Sequence, residues 1–229
     1  MNLFINYYSA GNRQDEIDFC LSQNAKNKLI KRIIVFNEHE IPPSGSKFKI
    51  KPTTQRPTYQ EFFNEMKNYP NDINILANAD IYFDDTLKKA EILTANKCYA
   101  ITRWEYIDGN PVSFDNANGV NGACPSHFSQ DVWVFRGGPK VNNCHVVVAY
   151  NERMRKHENI PFNLGVPGCD NIIAVRLKAA YQVINPANDI KCIHVHKDSR
   201  RQNYTHRIVG SHGGRWGQVQ QGRVPIKSL

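Results

Sequence analysis

Short apolar runs separated by polar, helix-spaced stretches set the rhythm of the first hundred residues. Leu3-Phe4-Ile5-Asn6-Tyr7 is an apolar run that stops at Ser9-Ala10-Gly11-Asn12, after which Ile17, Phe19, Cys20 and Leu21 fall at helical spacing over 14–21. A β-branched run over 32–36, and a shorter one over 48–50 after the Pro42-Pro43-Ser44-Gly45 turn, predict two further strands. Thr58-Tyr59-Gln60-Glu61 has the order of a capping box, a hydroxyl for the first orphan amides and a carboxylate three residues on. It predicts a helix carrying Phe62, Phe63 and Met66. The strand predicted over 73–77 runs directly into Asn78-Ala79-Asp80, and Asp84 with Asp85 reads as the cap of a helix starting at Thr86.

Strands alternating with helices at this spacing imply a mostly parallel, helix-covered sheet whose ligands sit at the carboxyl ends of strands. The second half is less regular. Residues 98–103 and 132–135 read as strands, 108–126, rich in Asn, Gly and Pro, as a long loop, 170–179 as a helix, and 181–184 and 193–196 as short strands. No internal repeat is present. The expectation is one α/β domain over 1–204, with 205–229 a basic polar tail or linker, the whole fitting a module of a larger polypeptide.

Composition excludes several classes. With 229 residues, 41% of them hydrophobic and 22% charged, the chain is globular rather than disordered or fibrous and long enough to bury a large core. No basic and apolar leader opens it and no window approaches the ~18 apolar residues of a membrane span, so a soluble, cytoplasmic protein is expected. Six cysteines without a C-x-x-C pair read as reduced thiols. The 29 basic against 21 acidic residues leave a formal charge of +8, which suits either a nucleic-acid face or a site for a small polyanion. The basic clusters lack the aromatic interleaving of single-strand binders, which favours the small polyanion.

Four stretches have the residue types for chemistry. Asn78 and Asp80 would share a face if the backbone stays extended, offering two oxygens to a hard cation such as Mg²⁺ or Mn²⁺, although Asn and Asp are also ordinary turn residues. Cys192, His194 and His196 alternate as strand neighbours, which leaves open a zinc site, a single histidine completing the coordination begun at Asp80, or plain local hydrogen bonding. Arg200 and Arg201 follow at once and can hold phosphate oxygens in bidentate fashion. Asp170, entering a helix through the Gly168 turn, is placed to act as a general base or merely as a cap, with helix-start amides keeping it ionised near neutral pH. Asp131, before the 132–135 strand, can bind a ligand hydroxyl or close a turn.

Residues 73–84, Ser129-Gln130-Asp131 with the strand after it, Pro167-Gly168-Cys169-Asp170-Asn171 and Ile193-His194-Val195-His196, in that order, resemble glycosyltransferases of the GT-A fold. The likeness extends over 2–204 and is to the soluble glycosyltransferase domains encoded by large chlorella viruses and to bacterial polysaccharide transferases. It implies a single nucleotide-diphospho-sugar transferase domain, a mostly parallel mixed sheet flanked by helices, acting in the cytoplasm, the host's if the chain is viral. The implied reaction moves a sugar from a nucleotide diphosphate, UDP favoured and GDP the alternative, to a glycan hydroxyl with a divalent metal and inversion. By position, Asp80 and Asn78 match the family's Asp-x-Asp metal motif, with Asn78 neutral where an aspartate is usual. His194 or His196 matches a late histidine that reaches the metal. Tyr7, Tyr8 and Arg13 match the nucleoside region, Arg56 the diphosphate contact, Asp131 the sugar contact and Asp170 the catalytic base. The rival readings are a nucleotide-sugar-binding protein that has lost turnover, motivated by Asn78, and a basic nucleic-acid-binding module.

Overall fold

The computed structural model describes residues 1–118, 129–151, 153–166, 168–196, 206–208 and 224–229. Strand β1 (Asn2–Tyr7) leads through a 3-10 turn (Gly11–Arg13) into helix α1 (Gln14–Lys26), then β2 (Arg32–Asn37), β3 (Phe48–Pro52), α2 (Tyr59–Met66), β4 (Ile73–Ala77) and β5 (Ile81–Phe83). After a 3-10 helix (Asp85–Ile92) come β6 (Lys97–Thr102), β7 (Trp104–Ile107), β8 (Asn110–Ser113), α3 (Phe114–Asn118) and β9 (Gln130–Arg136). The rest is β10 (Val146–Asn151), β11 (Lys156–Pro161), α4 (Cys169–Lys178), β12 (Gln182–Ile184), β13 (Cys192–His194) and β14 (His206–Ile208).

Seven strands form one sheet in the order β12-β6-β9-β4-β1-β2-β3. Its neighbours are parallel except for β9, which runs antiparallel to both β4 and β6. The chain therefore adopts the mixed, mostly parallel α/β architecture that its pattern implied. Period-two alternation divides the apolar side chains between the faces. Leu3, Ile5, Ile33, Val35, Ile75 and Val134 pack with Ile17 and Leu21 of α1, while Phe4, Ile34, Leu76, Trp133 and Phe135 pack with Phe62, Phe63 and Met66 of α2 and Ile173 and Leu177 of α4. Burial on both faces is why β1 and β4 have no exposed position at all.

Buried polar residues on these strands are tied rather than left bare. Asn74 accepts from Asn2 at 3.0 Å and donates to the Gly137 carbonyl at 3.0 Å. Asn185 donates to Thr102 Oγ1 at 2.8 Å and to the Val224 carbonyl at 2.9 Å. The other described strands form two smaller sheets, β5-β13-β7-β8 and β11-β10-β14.

Three expectations from the sequence are corrected. The long loop over 108–126 opens instead as a hairpin, β7 and β8, closed by Asp108-Gly109 with φ of 49° and 83°, and continues into α3. Asp-Gly with both φ positive is the two-residue turn that matches strand twist, and this local signal outweighs the polar composition around it. Residues 119–128 lie outside the described residues. The strand expected over 193–196 ends at His194. The segment expected as a tail contributes β14, paired with β10, and residues 224–229, of which Ile226 bridges Asn185 and Val224 is buried. Residues 224–229 pack on the domain because Asn185 donates to the Val224 carbonyl and accepts from the Lys227 amide, and Asp189 accepts from the Leu229 amide. The 3-10 helix begins as expected, with the Asp84 carboxylate accepting from the Thr86 amide at 2.9 Å.

The capping box forms in full: the Glu61 amide donates to Thr58 Oγ1 at 3.3 Å and the Thr58 amide to Glu61 Oε2 at 2.7 Å. Thr58→Ala should lower stability by about 1 kcal/mol in urea unfolding while Thr58→Ser retains it, because only the hydroxyl is at stake.

Candidate active site

Strands β1, β2, β4 and β6 are mutually parallel or lie in line through β9, so their carboxyl ends and the amino end of β9 share one edge of the sheet. Tyr7 and Tyr8, Asn37 and Glu38, Asn78 to Asp80, Arg103, and Ser129 to Asp131 all fall on that edge. This is where open α/β sheets hold ligands, because the connecting loops diverge there.

A chain of opposite charges crosses the edge. Arg13 Nε donates to Glu16 at 2.8 Å and its Nη2 to Asp80 Oδ2 at 2.8 Å. The same Asp80 oxygen lies 3.3 Å from His194 Nε2, whose Nδ1 is 2.8 Å from Glu105 Oε2. The other Glu105 oxygen accepts from Arg103 Nε at 2.6 Å, and Arg103 Nη1 donates to Asp131 Oδ2 at 2.8 Å and Ser129 Oγ at 3.0 Å. The series ends where Asn78 Nδ2 donates to Asp131 Oδ1 at 2.7 Å. Charges this poorly exposed persist only when paired. Burial opposes ionisation of Asp80 and Glu105, but His194 and the adjacent arginines outweigh it, holding Asp80 well below the carboxylate range and Glu105 at about 2. Burial would likewise discharge His194, yet Asp80 and Glu105 raise it to about 9. The Arg103, Glu105, Glu16 and Ser129 side chains were not singled out by sequence reasoning. The Arg103-x-Glu105 spacing after an apolar strand was the only signal for two of them.

Asp170 is the second residue of α4, not its cap; that place belongs to Gly168 at φ 84°. Helix-start amides do not keep it ionised as expected. Burial, and next the Asp131 carboxylate, push it up to about 7 against the opposing pull of the Asn171 and Asp170 amides and Arg103. Asp131 has both oxygens engaged, whereas Asp170 accepts, among the described side chains, from Asn171 Nδ2 at 3.3 Å.

At the ends of β1 and β2, Tyr7 packs its ring on His39 at 5.3 Å and donates its hydroxyl to Asp18 at 2.7 Å. The Arg56 guanidinium lies over the Tyr8 ring at 4.5 Å. Asn6 Oδ1, Asn37 Oδ1 and Glu38 Oε1 are shut off from solvent with no hydrogen-bond partner among the described residues. Three bare acceptors at adjacent strand ends suit a ligand rich in hydroxyl and N–H donors, and the sequence reading missed them.

Asn78-Ala79-Asp80 is a turn, with the Ile81 amide donating to the Asn78 carbonyl at 3.3 Å, so the extended geometry in which Asn78 and Asp80 would share a cation is absent. Their side chains go to Asp131 and to Arg13 with His194 respectively. His194, with a carboxylate on each ring nitrogen, stands here as a cation rather than a neutral ligand. Cys192 Sγ points to the Thr102 carbonyl at 3.4 Å in the core, away from the histidines, so the zinc alternative is not assembled. Among the described residues no three His, Cys, Asp or Glu side chains gather to hold a metal ion. One observation does fit a divalent cation: Asp80 Oδ1 is buried and unpartnered. A single open carboxylate oxygen is a common protein share of a Mg²⁺ or Mn²⁺ site that substrate phosphates complete. His196, stacked on His194 at 5.4 Å, has its pKa lowered by burial and then by Arg13 and His194, and its Nδ1, 3.9 Å from Glu16 Oε2, has no hydrogen-bond partner among the described residues. Arg200 and Arg201 lie outside the described residues. Cys20, Cys98, Cys144, Cys169 and Cys192 are free and buried. No helix among the described residues is long and apolar enough to cross a membrane.

No protein-family model matches the sequence, and no curated protein matches it. Among solved structures, the mannosyltransferase PcManGT from Pyrobaculum calidifontis in complex with GDP-Man and Mn²⁺ is similar at 12% identity and a TM-score of 0.45, over 85% of this chain and 56% of that one. This chain thus spans little more than half of that protein's length. The 2-C-methyl-D-erythritol 4-phosphate cytidylyltransferase (IspD) of Francisella tularensis is similar at 13% identity and a TM-score of 0.34, over 59% of this chain and 73% of that one. At these values no residue role is carried over from either.

A histidine raised to about 9 contributes stability that is complete below its ordinary value of 6.5 and is lost as pH rises through about 9. His194→Gln should therefore melt well below wild type near pH 6, with the gap closing toward pH 10; a gap independent of pH would show that His194 is uncharged in the fold.

Proposed function

We propose that this chain is a glycosyltransferase that moves a sugar from a nucleoside diphosphate to a hydroxyl of a glycan acceptor, with inversion at the anomeric carbon. The observation that carries the reading is the Asp131 and Asp170 pair beside a cationic arm at the ligand edge of the sheet. Asp131 is spent on Arg103 and Asn78, and Asp170, pushed up to about 7, has the proton affinity a general base needs near neutral pH. As the acceptor oxygen attacks the anomeric carbon, its proton passes to an Asp170 carboxylate oxygen. The bond from that carbon to the diphosphate oxygen breaks and its electron pair leaves with the nucleoside diphosphate. One base, with the neighbouring Asp131 carboxylate held by Arg103 and Asn78, favours this direct displacement, a logic borrowed from glycoside hydrolysis.

Arg13 and His194 supply fixed positive charge near the departing diphosphate. Arg56 and, beyond the described residues, Arg200 and Arg201 are assigned to the same phosphates. Tyr7 and Tyr8 flank the nucleoside, whose ribose hydroxyls and base N–H groups the bare oxygens of Asn6, Asn37 and Glu38 can accept. A divalent metal, Mn²⁺ or Mg²⁺, would be held by Asp80 Oδ1, with Asn78 two residues before it and His196 stacked on the adjacent His194, and would neutralise charge on the diphosphate. UDP-sugars are the first donors to test and GDP-sugars the next. Kinship with virus-encoded and bacterial transferases rests on the order of the sequence motifs, and a cytoplasmic site of action on the reading of the cysteines as reduced thiols.

One observation favours a second reading, a nucleotide-sugar-binding protein without turnover: Asp80 already holds two cations and Asn78 is tied to Asp131. A thermal-shift screen of UDP-, GDP- and dTDP-sugars with and without Mn²⁺ should find a donor that stabilises by ~2.7 kcal/mol at 100 times its dissociation constant. Asp80→Ala should abolish the Mn²⁺-dependent part of that shift. Donor binding with neither transfer nor donor hydrolysis would establish the second reading.

With a donor in hand, Asp170→Asn should cut turnover by about 10²–10⁴-fold at saturating donor while leaving donor affinity unchanged, run beside Asp131→Asn. The wild-type rate should rise with pH through about 7, since the base works only once deprotonated. A carboxyl raised in the fold costs stability as pH climbs from its ordinary value of 3.8 to its folded value of about 7, and the cost is complete above that, so Asp170→Asn should melt above wild type at pH 8 and come level with it only below the ordinary value of 3.8. Loss of turnover in Asp131→Asn but not in Asp170→Asn would reverse the roles.

A further inference from the structure

We propose that Arg103 is the positioning residue of this transfer reaction, fixing the Asp131 carboxylate so that Asp170 alone is left to take the acceptor's proton. The inference rests on the reading above and adds to it a residue that lies between the proposed base and the phosphate arm.

Arg103 follows β6 directly, and three acceptors meet its guanidinium: Glu105 Oε1 at 2.6 Å, Asp131 Oδ2 at 2.8 Å and Ser129 Oγ at 3.0 Å. The Phe114 ring lies 5.1 Å from its central carbon, closing one face of the group. A planar fork can satisfy these directions together, whereas a lysine ammonium, a point charge on a flexible stem, cannot. The Asp131 oxygen that Arg103 leaves free is taken by the Asn78 amide at 2.7 Å, so the carboxylate is held from two sides. Asp131 therefore cannot turn to accept a proton without breaking a charged contact, while Asp170 has no cation bonded to it among the described residues.

The charged and titratable groups that face Asp170 come from four places. Asp131 on β9 and Arg103 at the β6 to β7 junction act on it, and it acts in turn on Tyr59 of α2 and Cys169 of its own helix. Arg103 is the cation of that set, and it opposes the effect of Asp131. It thus holds one carboxylate still and keeps the other from being pushed out of the working range. Its second arm, through Glu105 to His194 and Asp80, joins the base end of the site to the phosphate end, so misplacement at one end is felt at the other.

The test compares wild type with Arg103→Lys and Arg103→Met. Arg103→Lys keeps the charge but cannot span Asp131, Glu105 and Ser129, so kcat should fall about 10²-fold at saturating donor, as for a misplacement of about 1 Å, with the donor KM within about twofold. Arg103→Met should fall further. Its acidic limb of kcat against pH should move to higher pH, because removing a cation makes a nearby carboxyl harder to ionise. Carbon-13 carboxyl NMR of Asp170, which needs no substrate, should show the same upward move. A merely structural role would lower the melting temperature without moving that titration or the kcat limb. If Arg103→Met does not fold, Arg103→Lys decides through the split between kcat and KM. Wild-type activity with unchanged kcat in Arg103→Lys, or a loss confined to donor KM, overturns the inference and leaves the transferase reading standing. A wild type that transfers to no acceptor and hydrolyses no donor overturns both.

Discussion

Six side chains of alternating sign, Arg13, Asp80, His194, Glu105, Arg103 and Asp131, are paired one to the next, each keeping no more than a quarter of its surface exposed. That constraint organises the edge of the sheet. A charge taken out of water costs several kcal/mol unless a partner meets it, so removing one member exposes the next to an uncompensated field. The loops that follow β1, β4, β6 and β13 are held in mutual register by these contacts as much as by the core beneath them. Asp80 Oδ1 within the series, and Asp170 beside its Asp131 end, are the carboxylates that the network leaves least engaged.

The rest of the domain supplies rigidity to that edge. Parallel strands buried on both faces leave little freedom at their carboxyl ends, and the buried Asn185 cluster ties β6, the β12 end and the last residues of the chain to one point. The β5-β13-β7-β8 sheet closes over the same side and delivers His194 beside Glu105, its register partner on β7. In the proposed reaction the division of labour is between fixed cations that receive a leaving diphosphate and two carboxylates that burial and pairing drive apart in proton affinity. Separating two like groups by environment is how one site runs acid and base chemistry at a single pH.

Much of the fold was legible because periodicity reports local geometry. The strands of the first half, the Thr58 cap, the Asp84 cap and the α4 start all carry signals within a few residues, and each formed. The hairpin of β7 and β8 carried such a signal too, Asp108-Gly109, but composition over a longer window hid it. The β10 and β11 hairpin has weak alternation and exposed valines at 146 and 148, so its pairing is favoured only once the rest of the domain is present.

The sequence alone determined which residues would stand at the ligand edge: Tyr7, Asn78, Asp80, Asp131 and Asp170 each follow or precede an apolar run, and that placement needs only local pattern. What each of them bonds was decided by tertiary structure. Asp80 meets Arg13 across 67 residues, Asn78 meets Asp131 across 53, and His194 meets Glu105 across 89. A period of 2 or 3.6 says which face a side chain takes, not which distant strand will lie beside it. Strand order, register and the turn at Asn78 to Asp80 therefore tied a suspected pair of cation ligands into a charge series, and placed Arg103, marked locally only by its spacing to Glu105, between Glu105 and Asp131.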